Sequence, residues 1–318
     1  MKEAYFYSLG SAHCQHRESQ DLLKLLSEKD IAVIPLKGTF LSKRIYGCIE
    51  SRGTNIDVDI FIKWNDREKL HNVLTENGYV FSPSEETKDW LWQENCTSPG
   101  SQLIDVLYDI WLRGTCKEAI AGLWAGARRV TDGDGLKYYR FGQEELLIYM
   151  SQCLVTSDDG YKCLKYICDV NEFLNLHSRE LDWESVIEKV KKWHLRRSLY
   201  TALSLAGNLY DNDLPPSVMN STKPGLFKRI FIKTFFNRKV ILKENFRRRF
   251  MDKFLSYTFF ELIEASSAAE YWRVVKRTLL PPKEVMLSNK NYSSKPLYAE
   301  YALRLFRSFS RLFYDGQV

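Results

Sequence analysis

Residues 55–61 read NIDVDIF, which puts Asp57 and Asp59 one residue apart inside an apolar run. Along a strand, residues two apart point to the same face, with α-carbons about 6.6 Å apart. The two carboxylates therefore lean one way, and Ile56, Val58 and Ile60 lean the other. Like charges side by side repel, and a desolvated carboxylate is costly unless it is paired or coordinates a metal. An edge strand with a wet outer face is one explanation of such a pair. A divalent-cation site is the other, and the surrounding elements have to decide between them.

Those elements alternate in type. Residues 18–29 (ESQDLLKLLSEK) space their apolar side chains as a helix, and IAVIPL (31–36) reads as a short buried strand. That strand ends in Lys37-Gly38, and TFLSKRIYG then has helical spacing with Gly47 as its stop. After a loop comes the strand NIDVDIFIKW, then a helix DREKLHNVLTENGY ended at Asn77-Gly78, and a strand start at Tyr79–Phe81. Residues 82–100 are polar and read as irregular, and SQLIDVLYDIWL (101–112) resumes β-type residues, with Asp105 and Asp109 on one face. From Gln143 onward the pattern is helical.

The chain has 318 residues, with 45% hydrophobic and 14% aromatic side chains, enough for two or three domains with a sizeable core. It has no run of about 18 uncharged apolar residues, its N-terminal stretch is expected not to be a signal peptide, and its seven cysteines are scattered without a CxxC pair. Reduced thiols in a cytoplasmic protein are the expectation. The net charge of +6 hides an asymmetry: from Lys223 on there are 20 Lys and Arg against 8 Asp and Glu, while the first 222 residues carry 26 against 32. FNRKVILKENFRRRFMDKF in that basic part interleaves aromatics with cations. The pattern suits RNA or a membrane surface, and equally an amphipathic helix with a wet charged face.

The order of strand, Lys-Gly turn, helix and Asp-x-Asp strand resembles the polymerase-β-like nucleotidyltransferase fold. In detail it is similar to a family of uncharacterised nucleotidyltransferases that read roughly KG…YG…R…DxD. The matching positions are Lys37-Gly38, Tyr46-Gly47, Arg52 and Asp57-Val58-Asp59, with Asn77-Gly78-Tyr79 like that family's helix end. IDVLYD (104–109) resembles its acid-containing strand, which makes Asp105 the third carboxylate. The likeness runs on through EELLIYMSQC and LKYICDVNEFL to WRVVKRTLLPP and YALRLFRSF, nearly the whole chain. A histidine common in the family's helical half is Cys153 here.

The resemblance implies transfer of a nucleoside monophosphate from a nucleoside triphosphate to an acceptor. Asp57, Asp59 and Asp105 would hold two magnesium ions, or manganese in their place, between the attacking and leaving oxygens. Gly38 lets the backbone approach a phosphate, the N–H groups of Gly38, Thr39 and Phe40 open a helix as an anion site, and Lys37 adds a point charge. Arg52 and Lys165 are further nucleotide-binding candidates. Lys165 and Asp169, four apart, otherwise make an ordinary surface ion pair, and Tyr161 or Tyr166 is core or a base-stacking ring. His13 and His16 read as exposed histidines of a polar N-terminus.

The expected fold class is α+β: a mixed sheet with helices, followed by an all-helical region. Residues 1–115 are the expected catalytic domain, 116–222 a linker and helical domain, and 223–318 a basic, aromatic-rich helical region. The expected donor is ATP by abundance. The acceptor stays open among small molecule, peptide, protein and RNA, with a tRNA end as the RNA case. A nucleotide sensor without turnover is the alternative from another class.

Overall fold

The computed structural model describes residues 2–52, 57–82, 93–110, 117–156, 162–210 and 214–235, together with residues 265, 271, 272 and 276. The chain divides into two compact units, Met1–Leu146 and Leu147–Val318.

In the first unit, helix α1 (Lys2–Glu28) precedes strand β1 (Val33–Pro35), helix α2 (Gly38–Tyr46) and strand β2 (Asp57–Ile62). Helix α3 (Arg67–Glu76) follows, then strands β3 (Val80–Phe81), β4 (Gln93–Thr97) and β5 (Leu103–Leu107). Helix α4 (Lys117–Gly126) and a hairpin of β6 (Arg128–Thr131) and β7 (Lys137–Arg140) complete it. Among the described residues, five strands form one mixed sheet in the order β1-β2-β5-β4-β3. β2 runs parallel to β5 and antiparallel to β1, so it lies inside the sheet and the edge-strand explanation of the acid pair is excluded.

Period-2 alternation sorts the two faces. Val58, Ile60, Ile62, Ile104 and Val106 point to one side, where Leu22, Leu23 and Leu26 of α1 and Leu70, Val73 and Leu74 of α3 cover them. Each fully buried aliphatic side chain there contributes about 1.5–3 kcal/mol. On the opposite face, Phe61 near the end of β2 stacks on Trp124 with ring centroids 5.2 Å apart. Apolar cover thus sits over the C-terminal end of β2, while Asp57 and Asp59 lie in its N-terminal half and Asp105 at the middle of β5.

Two local expectations need correction. Helix α1 begins at Lys2, far ahead of residue 18, because Ala12, Gln15 and Ser19 continue its buried stripe. The stretch 82–100, read as irregular, contains β4, paired on both sides. Its alternation is hidden because the buried positions are Glu94 and Cys96, a charge and a thiol. The short strands of the β6–β7 hairpin are mostly exposed and carry little apolar pattern.

Helix α5 (Gln143–Thr156) runs across the division between the units. In the second unit follow α6 (Lys162–His177), α7 (Trp183–Lys192), α8 (Arg196–Tyr210), α9 (Pro216–Thr222) and α10 (Leu226–Phe235). Asp182 caps α7 by accepting the Ser185 N–H at 3.0 Å. Ser198 on α8 donates to Gln152 on α5 at 2.7 Å, satisfying two buried polar groups. The expected fold class, a mixed sheet with helices followed by helices, is what the protein has.

Among the described residues, no helix is long and apolar enough to cross a membrane. None of the described cysteines Cys14, Cys48, Cys96, Cys153 and Cys168 is in a disulfide. The segments FNRKVILKENFRRRFMDKF and YALRLFRSF and most of WRVVKRTLLPP lie outside the described residues.

Candidate active site

The register of β2 on β5 sets Asp59 directly beside Asp105, with Asp57 one pleat away on the same face. Their carboxylates converge: one oxygen from each of Asp57, Asp59 and Asp105 lies within 4.8 Å of the other two. Asp59 is buried and the other two are half-buried. Alternation along one strand delivers the first two acids, and parallel pairing delivers the third.

This crowding has an electrostatic consequence. Burial, and then the charges of Asp59 and Asp57, push the Asp105 carboxyl up to about 7, against the Lys37 charge and a hydrogen bond from the Gln93 side chain. Oδ1 of Asp105 is buried with no hydrogen-bond partner in the protein. Such an orphaned oxygen is costly, and a cation would satisfy it. The donor set is all carboxylate oxygen, the chemistry that suits hard cations such as magnesium or manganese. The three aspartates therefore fit a divalent metal.

The Lys37-Gly38 turn adjoins the acids. Leu36 at the end of β1 donates its N–H to the Asp59 carbonyl at 3.0 Å. Lys37 Nζ then meets Asp59 Oδ1 at 2.8 Å, with the Lys37 side chain 24% and that of Asp59 5% exposed. The expected phosphate ligand is thus paired with a carboxylate here, and it neutralises part of the acid cluster. Gly38 has φ +64°, a left-handed conformation that any side chain would strain. Helix α2 starts at that glycine with no side-chain cap, so its first N–H groups are available to an anion.

Thr39 is buried, and its hydroxyl is hydrogen-bonded to His16 Nδ1 at 2.9 Å. Next to it in the chain, Gln15 Nε2 donates to the Asp57 carbonyl at 2.8 Å. His16 is therefore half-buried against the turn rather than simply exposed. Sequence reasoning missed both residues. Only the helical stripe of Ala12, Gln15 and Ser19 could have placed α1 over the sheet.

Arg52 is buried, and its N–H donates to Ser42 Oγ at 3.2 Å. In the second unit, Lys165 is half-buried on α6. Asp169, one turn on, is fully buried, which corrects the surface reading of that pair. Tyr166 is buried as well, in keeping with a core ring; Tyr161 lies outside the described residues.

Glu94 on β4 faces the opposite side of the sheet from Asp105, since its neighbour Asn95 is the residue opposite Asp105. It accepts hydrogen bonds from Arg67 Nε at 3.0 Å and Tyr108 Oη at 2.7 Å, and His71 Nε2 lies 2.9 Å away. That cluster ties α3 to β4 and β5 and takes no part in the acid triad.

No curated protein matches the chain. Among solved structures it is similar to the antibiotic-resistance factor ANT(2″)-Ia, whose solution structure is described as revealing substrate-regulated conformation dynamics. That likeness has 14% identity and a TM-score of 0.39, covering 62% of this chain and 96% of the other. A family model described as uncharacterised nucleotidyltransferase matches residues 1–211, which hold the whole acid cluster and the glycine turn. The chain belongs to this family and is a nucleotidyltransferase.

Proposed function

We propose that the protein transfers a nucleoside monophosphate from a nucleoside triphosphate, with ATP as the abundant donor, to an acceptor hydroxyl or similar group in the cytoplasm. The observation that supports this reading is the convergence of Asp57, Asp59 and Asp105 beside an uncapped, glycine-hinged helix start. In this reading the three aspartates hold magnesium, and the N–H groups of Gly38, Thr39 and Phe40 bind phosphate oxygens. Bound magnesium would supply the positive charge that stabilises the attacking and leaving oxygens.

The protein's own groups divide the remaining work. Lys37 balances Asp59 in the free protein, and in this reading it adds its charge to a β- or γ-phosphate at the turn. The acceptor oxygen attacks the α-phosphorus, the bond from that phosphorus to the bridging oxygen breaks, and diphosphate leaves with the electron pair. The acceptor proton passes to the Asp105 carboxylate, which acts as general base in this reading. Arg52 and Lys165 remain proposed nucleotide ligands.

The test is incubation of a cell extract with labelled triphosphate and the enzyme, followed by mass spectrometry for nucleotidylated products and a diphosphate-release assay. An Asp57→Ala, Asp59→Ala double variant is the control. A labelled acceptor that is lost with the variant identifies the substrate. Triphosphate binding with no diphosphate release across acceptor classes, RNA ends included, would leave a nucleotide-binding protein without turnover.

A further inference from the structure

Helix α1 touches both halves of the site through two consecutive residues. Gln15, 5% exposed, donates to the main-chain carbonyl of Asp57 at 2.8 Å. His16 bonds the hydroxyl of Thr39, which is 4% exposed, at 2.9 Å, and its ring packs against Phe40 at 5.2 Å. Burial and then the Lys43 ammonium hold His16 below the ordinary imidazole value, against the pull of Asp134 and Asp132. The ring is therefore uncharged near neutral pH, and its bond to Thr39 joins two neutral groups.

The position of that bond matters because of what lies next to it. Gly38 has the backbone freedom that lets a main chain approach phosphate, and the same freedom would let the turn drift. Lys37 on one side of the glycine is fixed to Asp59, and Thr39 on the other side is fixed to His16. A flexible residue between two anchored ones can hold a single conformation, and the first N–H groups of α2 then point in one direction ahead of ligand binding. Preorganised donors avoid the cost of ordering on binding.

We propose that His16 is a positioning residue for the phosphate cradle. Acting through Thr39 it locks the Gly38 turn onto α1, while Gln15 locks the acid-bearing strand onto the same helix. Helix α1 thereby sets the separation between triphosphate and metal ligands. This rests on the nucleotidyltransferase reading of the site.

The test uses the full chain and two separate probes: manganese alone, followed by electron paramagnetic resonance, and magnesium-ATP, followed by calorimetry. His16→Leu is expected to weaken ATP binding about tenfold, the loss of one preorganised hydrogen bond, and to leave manganese affinity within about twofold. His16→Asn, whose amide offers a donor and an acceptor near the place of Nδ1, is expected to restore ATP binding. Thr39→Val should match His16→Leu, and the double variant should be no weaker than either. If His16→Leu fails to fold, His16→Asn and Thr39→Val carry the comparison.

ATP binding by His16→Leu equal to the wild type overturns the inference alone, as does parallel loss of manganese and ATP without rescue by Asn. A wild type that binds manganese but no triphosphate overturns the inference together with the reading beneath it.

Discussion

Replacing Asp105 with Asn removes one negative charge from the acid cluster while keeping its shape. In the metal-free protein, burial and the charges of Asp59 and Asp57 raise that carboxyl from 3.8 to about 7. At about 1.4 kcal/mol for each tenfold change in proton affinity, holding it ionised costs about 4 kcal/mol. Asp105 is half-buried, so solvent screening reduces the measurable part to about 1–2 kcal/mol.

A raised native value means that the fold binds this proton more tightly than the unfolded chain does. The stability attached to Asp105 is therefore full below about pH 3.8 and is lost as pH rises to about 7. Asn does not titrate in that window. Urea unfolding in EDTA should find Asp105→Asn more stable than wild type by about 1–2 kcal/mol at pH 8, with the gap closing toward pH 4.5. Magnesium or manganese should reverse the order at pH 8. A cation at about 100 times its dissociation constant stabilises the wild type by about 2.7 kcal/mol, and the variant, short of one ligand, gains much less. A gap independent of pH, or equal metal stabilisation of both proteins, would refute the reasoning.

Other substitutions probe the neighbouring contacts. Lys37→Met leaves Asp59 buried without its cation; the metal-free protein should lose about 2 kcal/mol near neutral pH, and magnesium should recover most of it in a thermal melt. Gly38→Ala puts a side chain on a left-handed backbone, costing about 1 kcal/mol of stability. It should weaken ATP binding more than manganese binding when both are titrated. Glu94→Gln should cost about 2–4 kcal/mol by urea unfolding and leave manganese affinity unchanged, because Glu94 faces away from the acids. Burial raises the Glu94 carboxyl, but hydrogen bonds with Arg67, His71 and Tyr108 more than offset it and hold it below its usual value. The stability tied to Glu94 is therefore present above pH 4.5 and lost as pH falls below it, and the difference between variant and wild type should shrink on acidification.

Part of this arrangement is local, and local patterns are readable. Strand period 2 puts Asp57 and Asp59 on one face whatever the order of strands in the sheet. The strand-to-helix change at Lys37-Gly38 marks the turn, and Asn77 and Gly78 end α3 as expected. β4 is unreadable because Glu94 occupies a buried position, and its partners Arg67 and His71 from α3 and Tyr108 just past β5 make that burial tolerable. Asp169 misleads for a related reason: its position four residues from Lys165 suggests a wet helix face, while the packing of its own unit buries it.

The amino-acid order alone determined which residue types share a face and where the backbone needs glycine, since these follow from periodicities of two and 3.6 residues and from sterics. Whether Asp105 meets the pair, whether β2 is internal, and that Gln15 and His16 reach the site were decided by the tertiary structure. Strand pairing and helix docking join residues 42 and 46 positions apart, as Gln15 to Asp57 and Asp59 to Asp105. Such contacts depend on the burial of whole faces, which no local stretch of chain encodes.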